Sequence, residues 1–174
     1  MPITNVNFGA DGITLSPDGT RLYFSTTGGR ELYSIATALL RDDGPYSELQ
    51  AQAQVYYHGQ KGLTDGMESD SNGIVYAGNI EDNSIAAFDQ STGTISTFVR
   101  DPRFSWTDTM SIGADGYLYF TENQLWRGPG YNGGVERRVK PYVLFKKPLP
   151  NGGTKIQQAA AGGNGTAVRR RYAA

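Results

Sequence analysis

A nine-residue phrase occurs three times in this chain and limits what the chain can fold into. It reads Asp11-Gly-Ile-Thr-Leu-Ser-Pro-Asp-Gly19, then Asp65-Gly-Met-Glu-Ser-Asp-Ser-Asn-Gly73, then Asp108-Thr-Met-Ser-Ile-Gly-Ala-Asp-Gly116. In each copy an Asp stands eight residues ahead of a Gly that follows Asp or Asn, with Ile or Met two places after the first Asp. Each copy runs on into an apolar stretch with Tyr at the matching place: Leu22-Tyr23-Phe24, Val75-Tyr76-Ala77 and Leu118-Tyr119-Phe120. A strand, a turn and a second strand at intervals of 54 and 43 residues is the spacing of β-propeller blades. The first Asp of each copy then takes an equivalent place in successive blades. If that place is the inner mouth, three carboxylates converge on one axis.

Bulk properties agree with an all-β chain and exclude several functions. The 174 residues suffice for one domain with a core, and 23 Gly, about twice the usual share, suit many short strands joined by tight turns. Net charge is −1, so no field is present that would capture nucleic acid or a membrane surface. No apolar run approaches the ~20 residues of a membrane span. The start, Met-Pro-Ile-Thr-Asn, has neither the basic nor the apolar region of a signal peptide. The absence of Cys removes disulfides, thiolate metal sites and cysteine nucleophiles together.

The pattern predicts blades over about 8–60, 61–102 and 103–157, making residues 1–157 a partial propeller and 158–174 a disordered low-complexity tail. In the first blade, strands are expected at 8–15, 21–25 and 31–35. A helical turn follows at 37–41, and an outer strand over 50–58 on the strength of Val55-Tyr56-Tyr57. The second blade reads as four strands at 62–69, 74–78, 84–88 and 94–99. The third repeats the phrase through Thr121, passes a Gly-rich charged loop over 126–138 and returns as a strand over 139–148. Arg169-Arg170-Arg171 reads as a solvated charge run, and Asn164-Gly-Thr166 as a chance sequon.

Several phrases resemble the yellow and major royal jelly protein family. They are Gly9-Ala-Asp-Gly-Ile-Thr-Leu-Ser-Pro-Asp-Gly19, Arg30-Glu-Leu-Tyr-Ser-Ile-Ala-Thr-Ala-Leu-Leu-Arg41 and Leu63-Thr-Asp-Gly-Met67. The series continues with Asp101-Pro-Arg-Phe-Ser-Trp-Thr-Asp-Thr-Met110, Asn123-Gln-Leu-Trp-Arg127 and Val139-Lys-Pro-Tyr-Val-Leu-Phe145. The resemblance implies an all-β propeller of the yellow/royal jelly type, with about three four-stranded blades, half of a six-bladed ring. Such a half would be a fragment of a full propeller, inactive on its own, or would self-associate to complete the ring, or would persist as an open half-ring. The family implies an extracellular setting.

The resemblance also implies a function. The family binds small aromatic amines such as serotonin in its central cavity, which calls for an apolar or aromatic wall and a few fixed oxygens. On the matching positions Thr109 and Asn123 are the polar contacts, and Leu125 stands where amine-binding relatives carry an aromatic residue. Trp106 is either cavity wall or interblade filler. The family's propellers resemble those of lactonases with an axial divalent cation, for which Asp11, Asp65 and Asp108 would be the oxygens, with Asn79 and Asn123 in register. Ca²⁺ needs six to eight oxygens at ~2.3–2.6 Å. The competing account has each Asp capping its own turn. The first function to weigh is therefore non-catalytic binding of a small amine, with no resident cofactor. The alternative is a metal-dependent hydrolase or a dopachrome-converting isomerase. His58, the single histidine, sits in Tyr56-Tyr57-His58-Gly59 outside the repeated phrase and reads as a surface or turn residue.

Overall fold

The computed structural model describes residues 9–42 and 44–156, and the tail expected over 158–174 lies outside them. Eleven strands make three antiparallel sheets, each strand pairing with its neighbour in sequence. The first holds β1 (Ala10–Leu15), β2 (Arg21–Thr26), β3 (Glu31–Ala36) and β4 (Tyr56–Gln60). The second holds β5 (Met67–Ser69), β6 (Ile74–Asn79), β7 (Ser84–Asp89) and β8 (Thr94–Arg100). The third holds β9 (Thr107–Ile112), β10 (Tyr117–Glu122) and β11 (Val143–Pro148). These are propeller blades stacked in chain order: β5, the inner strand of the second, packs between β1 and β9.

Two-residue alternation decides what each blade buries. In the second blade, Val75, Ala77 and Phe88 point back and join Tyr23 and Leu32 of the first blade in one core. Tyr76 and Ile85 point forward and join Met110, Ile112, Leu118 and Phe120 of the third in another. Each fully buried Leu, Ile or Phe in these layers contributes about 1.5–3 kcal/mol. The last Gly of each phrase closes the hairpin behind it: Gly19, Gly73 and Gly116 have φ of 69°, 80° and 76°, a region open to glycine at little cost.

Two expectations fail. Ser47–Ala53 is a helix, α1, so an outer strand over 50–58 does not form; β4 begins only at Tyr56. Ser-Glu-Leu-Gln-Ala-Gln-Ala contains no β-branched residue and is rich in helix formers, and the strand signal came from Val55-Tyr56-Tyr57 alone. Among the described residues the third blade has three strands, not four. After β11 the chain turns at Pro150–Gly152 and runs back to the second blade. There Ser71 N–H donates to Thr154 O at 2.8 Å and Asp70 bridges to Lys155. A strap thus replaces the fourth strand.

Smaller shifts have local causes. β11 starts at Val143 instead of 139, because the Gln124 amide clamps both backbone groups of Val139 (2.8 and 3.0 Å) and Pro141 has no N–H for a ladder. Residues 37–41 form a chain of i→i+3 turns. His58 lies within β4 and is half-buried, contrary to a surface loop; it bonds Ser34 Oγ at 2.7 Å and packs against Tyr23, Tyr56 and Phe88. No described helix is long and apolar enough to cross a membrane.

Candidate functional site

The three phrase aspartates meet where the inner strands begin. Asp65 is half-buried, and Asp11 and Asp108 lie near enough to it to disfavour its ionised form. Burial, reinforced by these two acids, raises the Asp65 pKa to about 6, against the opposing pull of a hydrogen bond from Trp106. That bond, from the indole N–H to Asp65 Oδ2, is 2.7 Å long. None of the three carboxylates forms a salt bridge among the described residues.

Backbone contact between blades explains why Gly follows the first two aspartates. A Cβ on Gly66 would lie 1.5 Å from the carbonyl oxygen of Asp108, and one on Gly12 would lie 2.5 Å from that of Asp65. Each inner strand therefore rests directly on the Asp peptide of the next blade. The third phrase carries Thr109 in place of Gly, and Thr109 is exposed with no further blade against it among the described residues.

The other predicted residues divide into two groups. Asn123 belongs to the hub: its Nδ2 donates to Asp108 Oδ2 at 2.9 Å, and its Oδ1 accepts the Leu125 N–H at 2.8 Å. Thr109 Oγ1 stands 3.5 Å from Asp108 Oδ1. Asn123 and Leu125 line a cavity of about 340 Å³ together with Thr121, Glu122, Arg138 and Tyr142. Trp106 is 8% exposed, with φ of 76°, and its ring packs toward Tyr131 at 6.3 Å. Its position fits interblade filler that also orients Asp65. Asn79 stands apart from the hub. Its side chain lies against Gly62 and its Oδ1 accepts the Glu81 N–H at 3.2 Å, a local cap.

The sequence reading missed Glu122, which is 2% exposed and accepts from Ser105 N–H at 2.5 Å and Thr107 Oγ1 at 2.6 Å. Burial raises its pKa. Its signal was available: 118, 120 and 122 share one face of β10, so Glu122 had to follow Leu118 and Phe120 inward. It lines both that cavity of about 340 Å³ and a larger one of about 560 Å³ between the second and third blades, walled by Phe104, Gln124 and Trp126. Arg138 and Tyr142 carried no pattern. Arg138 is held by Glu136, with Nε donating at 2.8 Å.

Among the described residues, no group of three acids or histidines is arranged to hold a metal ion. Asp11, Asp65 and Asp108 therefore do not form a fitted metal shell.

A family model described as major royal jelly protein matches residues 3–144. The chain belongs to the major royal jelly protein family. Of the phrases that carry the resemblance, those at 9–19, 63–67, 101–110 and 123–127 supply the hub residues. No curated protein matches the sequence. Among solved structures, this royal jelly family chain is similar to a gluconolactonase from Xanthomonas campestris, with TM-score 0.58 and 15% identity over 90% of this chain and 48% of that one. It is also similar to a calcium-binding regucalcin from Agrobacterium tumefaciens, with TM-score 0.55 and 16% identity over 85% and 47%. A putative gluconolactonase gives 0.58 and 12% over 86% and 48%. At these identities the likeness is one of fold. The chain spans about half the length of these structures.

Proposed function

We propose that this royal jelly family chain is a non-catalytic, extracellular binding protein for a small aromatic amine held at the propeller hub. One observation carries the proposal: three carboxylates crowd together at the inner strands without a Lys or Arg partner among the described residues. Such a cluster suits a cation, and an ammonium is the simpler occupant because the acids are not grouped as metal ligands. Asn123 bonds Asp108 and also lines the cavity of about 340 Å³, so a ring seated there would meet Leu125 and Tyr142 with its ammonium directed toward Asp108. The Trp106 bond keeps Asp65 oriented.

The test is calorimetric titration with serotonin or dopamine in the presence of a chelator. Binding that survives chelation and weakens about tenfold in Asn123→Ala supports the carrier; tenfold corresponds to one hydrogen bond to a charged group.

A second function draws support from the raised Asp65 pKa. A carboxylate near pH 6 is suited to general-base work, as a lactonase-like hydrolase or an isomerase would need. Tight Ca²⁺ or Zn²⁺ binding, abolished by Asp65→Ala, would favour this alternative over the carrier.

A further inference from the structure

None of the hub acids lines the cavity of about 560 Å³ between the second and third blades. It is framed by the turn after β6, the link from β8 to β9 and the segment joining β10 to β11, so every wall belongs to blades described here. Its volume falls within the range of about 300–1,000 Å³ usual for small-molecule sites. Flat, stiff apolar surfaces line it: Pro102, Pro141, the Trp126 ring, and Phe104 at the edge of the core that these two blades share. Trp126 is 46% exposed, and its indole N–H donates to Ser105 Oγ at 3.0 Å, which fixes the ring in place.

Most of the charged and amide groups around this cavity are engaged. Gln124 is committed to both backbone groups of Val139, and Glu122 accepts from Ser105 N–H and Thr107 Oγ1. Arg103 donates to Asp101 from Nε at 2.8 Å and from Nη2 at 2.6 Å. Arg127 is the exception. It is half-buried and has no carboxylate partner among the described residues. Its guanidinium lies over the Trp126 ring, 4.8 Å from the centroid, so the aromatic face holds the cation while the N–H edge stays available. Side-chain hydrogen bonding of that edge, among the described residues, amounts to a 3.5 Å approach of Nη1 to Gln124 Oε1. Val139 N–H already occupies that oxygen.

We propose that this cavity is a second binding site, separate from the hub, for a planar aromatic carboxylate. The carboxylate oxygens pair with two N–H groups on the Arg127 edge, the bidentate fit that a planar guanidinium offers. The ring fills the space walled by Trp126, Pro141 and Val143. Charge preference here is opposite to that of the hub. An aromatic amine entering the cavity would meet the Arg127 cation, and the Glu122 oxygens that could receive it are already hydrogen-bonded.

Calorimetric titration with indole-3-acetate and with tryptamine, which present one ring with opposite charges, tests this. Indole-3-acetate should bind the wild-type protein, and tryptamine should not compete with it. Arg127→Gln should weaken the binding about tenfold or more, with Arg127→Lys in between. Val143→Trp alters an exposed position at the start of β11, so it should fill the cavity and abolish binding with circular dichroism unchanged. Asp65→Asn should bind as the wild type does, so the result stands whether or not an amine binds at the hub. No binding of indole-3-acetate, undiminished binding in Arg127→Gln or Val143→Trp, or competition by tryptamine would each overturn the proposal. So would loss of binding in Asp65→Asn, which would move the ligand to the hub.

Discussion

The indole N–H of Trp106 donates to Asp65 Oδ2 at 2.7 Å, linking the segment that opens the third blade to the hub acid of the second. This one bond joins packing to electrostatics. Trp106 is buried like a core residue, yet its polar atom is aimed at a carboxylate that burial and two neighbouring acids would otherwise protonate more readily still.

Removing that donor should raise the Asp65 pKa further above 6, because the bond favours the ionised form. Trp106→Phe is expected to cost about 2 kcal/mol, the net value of a hydrogen bond to a charged group. Amine binding should then need a higher pH to reach half its maximum. A ¹³C-carboxyl NMR titration of the two proteins measures the change; an unmoved Asp65 would contradict it.

Asp65 also leaves a mark on stability. Its folded pKa is raised from 3.8 to about 6, so the folded state binds the extra proton, and this group's contribution falls as pH rises through that window. The difference in melting temperature between Asp65→Asn and wild type should therefore move in favour of the variant between pH 4 and pH 6, limits set by those two pKa values.

Gly66→Ala should be among the most damaging small substitutions in the chain. Its methyl would fall 1.5 Å from the Asp108 carbonyl oxygen, which is backbone and cannot swing away. Separating two blades to make room is expected to cost about 3 kcal/mol or more. Thr109→Gly, at the equivalent place in the third phrase, should leave the monomer's fold intact. Urea denaturation of both variants measures the contrast.

Lys61 gives a pH dependence of the other kind. It is 4% exposed and its Nζ donates to Gly62 O at 3.1 Å; burial lowers its pKa to about 7, only partly opposed by Glu31. The unfolded chain holds this proton up to 10.5, so Lys61 makes stability rise with pH between about 7 and 10.5. Lys61→Met should stabilise the protein most at or below neutrality and flatten that rise, as thermal melts across the range will show.

What the sequence revealed, and what it hid, follows from how each feature is encoded. The Asp-Gly phrases were legible because they answer to backbone requirements, a left-handed turn at Gly73 and a bare Cα at Gly66, which few residues meet. The meeting of Asp11, Asp65 and Asp108 followed from that equivalence. Helix α1 was passed over although its residues are rich in helix formers, because Val55-Tyr56-Tyr57 beside it spoke strongly for strand. The strap at Ser71–Thr154 and the Gln124 clamp on Val139 are long-range hydrogen bonds with no periodic trace. Glu122 was readable from alternation and was passed over. Asn79 ends β6, the counterpart of the strand that leads into Asn123, but caps Glu81 instead of reaching a hub acid, a distinction that spacing alone does not contain.

The central claim is that the hub carboxylates hold an organic cation. Calorimetric titration of serotonin into wild-type and Asp65→Asn protein, at pH 5 and pH 7.5 with chelator present, tests it most directly. The account predicts tighter wild-type binding at the higher pH, where Asp65 is ionised above its pKa of about 6, and a loss of most of that gain in Asp65→Asn. Binding that is equally strong at both values and indifferent to the substitution, or no binding at pH 7.5, would contradict it.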